Sequence, residues 1–397
     1  MPKISIKGKK MPLSPIRKLV PFAEKAIERG KKIFYLNIGQ PDIKTPQVAL
    51  DAVSNHNLTT IEYSHSAGNE SLRIKMAEYY RKRNVNVNKK NILITTGGSE
   101  ALIFTMGSIT DPGDEIIIPE PFYANYYSFS TQSTVTVVPI ITMIDDDFAL
   151  PSIAEFEKHI TKKTKAILVC NPGNPTGYVY SKEEIRQLAN LAKKYDIFLI
   201  SDEVYREFIY GENTEHYSIL QEEGLEEHAI VIDSVSKRYS MCGARIGCLV
   251  SKNKRVMKTA MKYAQARLSP PTFAQIATEA ALGVDESYYA EVVAKYKLRR
   301  DTLIDGLKLI PNIKVSVPKG AFYCMVELPI DNAEHFAKWM LESFSDNNET
   351  VMVAPAEGFY SSYAGLNQIR IAYVLNKKDL KRATEVLKLG LDAYLNR

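Results

Sequence analysis

Ser234-Val235-Ser236-Lys237-Arg238-Tyr239-Ser240-Met241-Cys242-Gly243-Ala244-Arg245-Ile246-Gly247 comes one residue after the apolar, β-branched run Ala229-Ile230-Val231-Ile232. The run reads as a buried strand, and the stretch beyond it as the loop leaving its carboxyl end, where open α/β sheets bind ligands. The loop carries two hydroxyls, a lysine, a glycine and, eight residues past the lysine, an arginine. Ser234, Ser236 and Arg245 suit a phosphate, with the guanidinium as the bidentate partner. A lysine beside another cation and sheltered from water, as Lys237 is then expected to be, becomes a nucleophile toward carbonyls. A basic surface loop accounts for the same residues equally well at this point.

Outward from this loop the chain repeats strand, loop and helix. The pattern predicts strands over Ile92–Thr95, Glu115–Ile118, Thr134–Ile140, Lys165–Cys170, Ile197–Ser201, Ala229–Ile232 and Arg245–Val250, with helices such as 101–109 and 182–194 between most of them. Such alternation predicts an α/β fold, a mainly parallel sheet covered on both faces. Upstream, a helix over 16–28 is expected to stop at Gly30, followed by a short strand entering Gly39-Gln40-Pro41-Asp42. Downstream, a long helix over 286–308 leads to strands at 313–317, 321–328 and 351–354 and to helices at 333–344 and 377–395, a smaller α+β domain. The expected division is a large domain over 46–290, and a small domain made of the arm 1–45 and residues 291–397. Trp339, the single tryptophan, falls on a helix and is expected in the core.

A chain of 397 residues exceeds one core, in keeping with two domains. A net charge of +5 over that length offers no footprint for nucleic acid. Cys170, Cys242, Cys248 and Cys324 form no CxxC pair, which favours free thiols in a reducing compartment. The six histidines are scattered, so no metal site is expected. No apolar run approaches membrane-spanning length, and the N-terminus lacks a signal-peptide core, so the protein is read as cytoplasmic. The lysine-rich start reads as a solvated arm.

Four further loops at predicted strand ends complete the pattern. Thr96-Gly97-Gly98-Ser99-Glu100 opens a helix and offers backbone N–H groups to an anion, although an ordinary capped helix explains it too. Pro119-Glu120-Pro121-Phe122-Tyr123 offers an aromatic ring for stacking. Asn171-Pro172-Gly173-Asn174-Pro175-Thr176-Gly177 places an amide in a dense turn, and Ser201-Asp202-Glu203-Val204-Tyr205 a carboxylate and a phenol past a buried strand. Taken singly each is structural; together they match one cofactor. A phosphate site with a Schiff-base lysine points to pyridoxal phosphate: Asp202 can keep a pyridine nitrogen protonated, and Asn174 and Tyr205 can share a ring hydroxyl.

The ordered set Gly-Gly-Ser-Glu-Ala, Asn-Pro-Thr-Gly, Ser-Asp-Glu-Val-Tyr, Ser-x-Ser-Lys and Gly-x-Arg-Ile-Gly resembles the class I/II aminotransferases of the pyridoxal-phosphate fold-type-I (aspartate aminotransferase) superfamily. The likeness runs from Leu36-Asn37-Ile38-Gly39-Gln40-Pro41-Asp42 to Gln368-Ile369-Arg370-Ile371-Ala372-Tyr373. It implies that Lys237 forms the Schiff base, Asp202 pairs with the ring nitrogen, Tyr205 and Asn174 meet the ring hydroxyl, and Tyr123 stacks on the ring. It also implies that Gly98, Ser99, Ser234, Ser236 and Arg245 hold the phosphate. Arg370 matches the arginine that grips a substrate α-carboxylate, and Gly39 the backbone beside it. Tyr63 matches a tyrosine that reaches the phosphate from the neighbouring subunit, which implies a homodimer with shared sites. The likeness further implies a cis peptide before Pro175 and ping-pong transfer between an amino acid and a 2-oxo acid.

Some positions depart from the family pattern. Ala244 replaces a frequent aromatic, Cys242 a frequent Thr or Pro, and Ala354-Pro355-Ala356-Glu357-Gly358-Phe359 a more usual Pro-Gly-x-x-Phe-Gly. Ser99 stands where one aspartate-using subgroup has lysine, so dicarboxylate recognition by that route is not expected. Arg267 lies near the region of a distal arginine and is a candidate for reading a side-chain carboxylate. Aspartate or another amino acid with 2-oxoglutarate is the expected substrate pair. A C–S lyase or synthase of the same fold shares the cofactor motifs and stands as the alternative. A ligand-sensing regulator is expected to carry a DNA-binding segment that these motifs leave no room for, and a dehydrogenase a dinucleotide fingerprint that is missing.

Overall fold

The computed structural model describes residues 2–211, 214–362 and 364–397. Its largest sheet has seven strands, ordered Ile92–Thr95, Gly247–Val250, Ala229–Ser234, Phe198–Asp202, Thr164–Cys170, Glu115–Glu120 and Thr136–Ile141. From Ala229–Ser234 to Thr136–Ile141 the strands run parallel, and Gly247–Val250 is antiparallel to both its neighbours. Side chains alternate across the sheet. Ile116, Leu168, Ile200 and Ile232 pack with the helices Gly97–Ile109 and Lys254–Arg267 on one face. Ile117, Ile167, Leu199 and Val231 pack with Glu70–Arg81 and Lys182–Tyr195 on the other. The three-layer α/β arrangement read from the sequence is what forms.

The boundaries differ where local capping overrides periodicity. The helix expected from residue 101 begins at Gly97, because the Glu100 carboxylate turns back to accept the Thr96 N–H at 2.7 Å. Thr134 adopts left-handed φ of 60° and closes the helix Asn125–Ser133, so the next strand starts at Thr136. The first long helix is Val20–Glu28 rather than 16–28, with Pro21 fitting its first turn. The loop after Ser234 contains one helical turn, Val235–Arg238.

The C-terminal third carries a second sheet of order Ala354–Pro355, Gln368–Ala372, Tyr323–Glu327 and Lys314–Val315, antiparallel throughout. The N-terminal strand Lys32–Tyr35 pairs in parallel with Glu349–Met352, tying the start of the chain to its last third. One buried core joins Leu19, Phe34, Tyr296, Phe322, Phe336 and Leu387, and it takes in Tyr205 and Phe208 from the segment after the strand Phe198–Asp202. Trp339 packs against this core and stacks on Phe344 at 5.6 Å. Among the described residues no helix is long and apolar enough to cross a membrane.

Candidate active site

The carboxyl ends of the strands Phe198–Asp202 and Ala229–Ser234 open onto a cleft of about 790 Å³, closed on its far side by Tyr323 and Arg370 of the second sheet. All the residues singled out from the sequence line it except Tyr63 and Arg267.

Lys237 sits at the end of its helical turn, with Nζ donating to the Gly39 carbonyl at 2.8 Å and 3.9 Å from Cys242 Sγ. Gly39 has to be glycine, since a Cβ there would overlap the Tyr323 hydroxyl. The Ser234 Oγ donates to Ile246 O at 2.9 Å, accepts the Ser236 N–H at 3.1 Å and lies 2.8 Å from Ser236 Oγ. Arg245 has φ of 57°, and its Nη1 donates to Cys242 O at 2.9 Å. Its guanidinium lies against Gly97, where a Cβ would overlap it; Gly98 and Ser99 follow in the first helical turn. Two hydroxyls, a guanidinium and a helix start thus converge, as a phosphate requires.

Asp202, the last residue of its strand, is buried. Its Oδ2 accepts the Tyr126 hydroxyl at 2.8 Å and its Oδ1 the Val204 N–H at 3.4 Å. Burial pushes its carboxyl up to about 6, against the opposing pull of those two donors. Among the described residues no cation is paired with it. Tyr123 lines the cleft at 5.4 Å from Tyr126, edge to face. Its hydroxyl accepts from Asn125 Nδ2 at 2.8 Å, and burial pushes that hydroxyl up to about 12. The Tyr205 hydroxyl lies 2.8 Å from the Tyr323 hydroxyl.

Arg370 is 1 % exposed. Its Nη1 donates to Asn174 Oδ1 at 3.0 Å and its Nη2 to Asn37 O at 2.6 Å, while Nε is buried without a partner. Tyr323 and Phe359 rings flank the guanidinium at 4.5 and 4.7 Å. Among the described residues no carboxylate forms an ion pair with it, and burial alone presses it below the usual arginine range. A buried cation left uncompensated beside an open cleft is a seat for an anion. The peptide bond before Pro175 is cis, as the resemblance implies.

Tyr63 is 80 % exposed and lies outside this chain's cleft. Arg267 is committed elsewhere: Nη1 pairs with Glu100 Oε2 at 2.6 Å, and Nη2 donates to Ser66 O at 3.0 Å. The candidacy of Arg267 for reading a substrate carboxylate therefore fails on geometry. Sequence reasoning missed Tyr126, Tyr323, Asn37 and Arg17, all but Asn37 in the cleft wall. Tyr126 had a signal, lying three residues after Tyr123 at the start of the helix Asn125–Ser133. Tyr323 had none, because its strand meets the cleft only through the tertiary fold. Among the described residues, no group of His, Cys, Asp and Glu could hold a metal ion.

Residues 31–387 match the family model for aminotransferase class I and II. A probable aspartate aminotransferase of Methanocaldococcus jannaschii is 33% identical over 362 residues, covering 89% of this chain and 92% of that protein. Among solved structures, a single mutant of Thermus thermophilus aspartate aminotransferase superimposes with a TM-score of 0.90 at 30% identity, covering 98% of this chain and 100% of that one. An alanine aminotransferase from Pyrococcus furiosus superimposes with a TM-score of 0.88 at the same identity and coverage. One fold thus stands behind two differently named aminotransferases.

Proposed function

The chain belongs to the class I and II aminotransferases, enzymes dependent on pyridoxal phosphate, and on that premise we propose that it moves the amino group of an L-amino acid, aspartate among them, to a 2-oxo acid such as 2-oxoglutarate in two alternating half-reactions. The observation that carries the amino-acid reading is Arg370: a buried guanidinium without a counterion among the described residues, lining the same cleft as Lys237, is suited to a substrate α-carboxylate.

We assign the phosphate end of the cofactor to the Gly98–Ser99 turn, Ser234, Ser236 and Arg245, the ring face to Tyr123, and the ring hydroxyl to Asn174 and Tyr205. When bound, the cofactor supplies an electron sink for the pair left at the substrate Cα. Asp202, its carboxylate oriented by the Tyr126 hydroxyl, holds a proton on the ring nitrogen, because ionised partners stabilise each other away from water. Lys237 Nζ, released when the incoming amino group takes its place, would carry the proton from the substrate Cα to the cofactor's imine carbon in the first half-reaction and in the reverse sense in the second, with the Gly39 carbonyl holding the amine in the cleft. Arg370 and the Gly39 backbone orient the α-carboxylate.

Mixed with aspartate alone, the loaded protein should release oxaloacetate in amounts equal to its cofactor and stop; 2-oxoglutarate should restart it. Lys237→Ala should slow this exchange by about 10⁴-fold. Failure of every 2-oxo acid to restart the reaction rejects the proposal.

We further propose a homodimer in which Tyr63 completes the partner's phosphate site. Exposed Leu58, Ile61, Leu268 and Phe273 support it, on two segments that Gln275 Nε2 joins through Ser64 Oγ at 2.9 Å. The four unpaired cysteines support a cytoplasmic setting, and the family's amino-group transfer supports a role in amino-acid biosynthesis. A large domain over 46–290 and a small one over 1–45 and 291–397 is supported by the core that joins Leu19 and Phe34 to the C-terminal third.

A further inference from the structure

Among the described residues four cations line the cleft, against a single carboxylate, Asp202. Arg245 is held beside the hydroxyl cradle, Arg370 between Asn174 and Asn37, and Lys237 on the Gly39 carbonyl. Arg17 is the fourth. Its guanidinium is exposed and has no hydrogen bond or ion pair among the described residues. A mobile surface arm would explain nothing further, but the segment that carries Arg17 is anchored.

The main-chain N–H groups of Arg17 and Lys18 both donate to Ser14 O at 3.1 Å, closing a turn. Pro15 seats on Gly358, where any Cβ would overlap its ring. Ile16 packs into the small core around Phe359 and Met325, and Lys18 pairs with Glu334. Above all, Asn37 joins the turn to the α-carboxylate seat. Its carbonyl accepts from Arg370 Nη2, while its Nδ2 donates to Ile16 O at 3.2 Å. Asn37 therefore ties the turn that carries Arg17 to Arg370, and both arginines line the same cleft.

We propose that Arg17 reads the side-chain carboxylate of dicarboxylic substrates, giving this cleft its preference for acidic amino acids and their 2-oxo acids. This rests on the transfer reading above and adds the residue that selects within it. A planar guanidinium matches a carboxylate bidentately. Ser14, at the start of the same turn, also lines the cleft. The two other routes are closed, since Arg267 is bound to Glu100 and position 99 is serine.

The test is binding to the cofactor-loaded protein, read from the cofactor's absorbance, of succinate against butyrate, which differ by one carboxylate. Arg17→Met should lower the ratio of succinate to butyrate affinity by about tenfold or more, as expected for one charge-assisted pair. Arg17→Lys should recover part of the ratio, and melting temperatures should match the wild type. An unchanged ratio in Arg17→Met, or a wild type that binds both acids alike, overturns the proposal. If succinate binding depends on Arg17 yet no amino acid discharges its amino group, the transfer reading falls and the assignment of Arg17 stands.

Discussion

Two sets of buried charges flank the ends of the strands Phe198–Asp202 and Ala229–Ser234. On the cleft side are Asp202 and Arg370, each buried and each without an ionic partner among the described residues. Behind the loop, Asp233, Glu203 and Glu207 face Arg83, Arg206 and Arg238. Arg238 Nη2 contacts both Asp233 oxygens at 2.9 and 2.8 Å, and its Nε lies 3.0 Å from Glu207. Tyr80 adds a hydroxyl to Asp233 at 2.8 Å. Burial pushes the Asp233 carboxyl up, but Arg238 and Arg206 outweigh it and hold it below the usual range. Strand alternation produces the split: Ser234 and Asp202 end their strands toward the cleft, while Asp233 points to the opposite face. Charges balanced within the protein hold the loop in place, and charges left unbalanced await a ligand.

This contrast is broken most severely on the paired side. Arg238→Leu would strand the Asp233 and Glu207 carboxylates in the interior, and should destabilise the fold by about 3–5 kcal/mol in urea unfolding. Burial already pushes the Glu207 carboxyl up to about 7 with Arg238 beside it, so losing that neighbour drives it further toward the neutral acid. A loss under about 1 kcal/mol would mean that this network is not what fixes the loop. Arg370→Met is the counterpart on the cleft side. It removes a cation whose desolvation nothing in the protein repays, although it leaves Asn37 O and Asn174 Oδ1 without their donor. Stability should therefore change by no more than about 1 kcal/mol, while kcat/KM falls by about 10²–10³-fold. Equal losses of stability and activity would erase the distinction between the two sides.

The sequence carried the sheet and most of the cleft because both rest on local signals. Apolar β-branched runs ended at turn-forming residues marked the strands, and the motifs sat at their carboxyl ends, from Asn174 to Arg245. What stayed hidden depends on long-range packing. Tyr323 reaches Tyr205 across 118 positions, and Asn37 reaches Arg370 across 333. Arg17 lay in a run of basic residues that reads as a solvated arm, and what brings it to the cleft is the seat of Pro15 on Gly358, the packing of Ile16 near Phe359 and the Asn37 hydrogen bond to the Ile16 carbonyl. Arg267 erred the other way: a favourable position in the chain concealed its partner Glu100, which the helix start at Gly97 swings into reach.

Asp202 sharpens the comparison through pH. Its folded value of about 6 stands above the ordinary 3.8 because burial penalises the charged form. The folded state thus holds this proton more tightly than the unfolded chain does. The sign follows: below about pH 4 the group costs nothing, and as pH rises through 6 the ionised carboxylate costs up to about 3 kcal/mol in the ligand-free protein. Asp202→Asn removes the titration, so the variant should gain stability over the wild type between pH 4.5 and 7.5, read as a difference so that the Glu207 contribution cancels. A bound protonated ring supplies the missing counter-charge. Cofactor affinity of the wild type should consequently strengthen across the same window, whereas that of the variant should not. A stability difference that stays flat with pH would show that Asp202 already has a partner within the protein, and the cleft would then no longer differ from the network behind it.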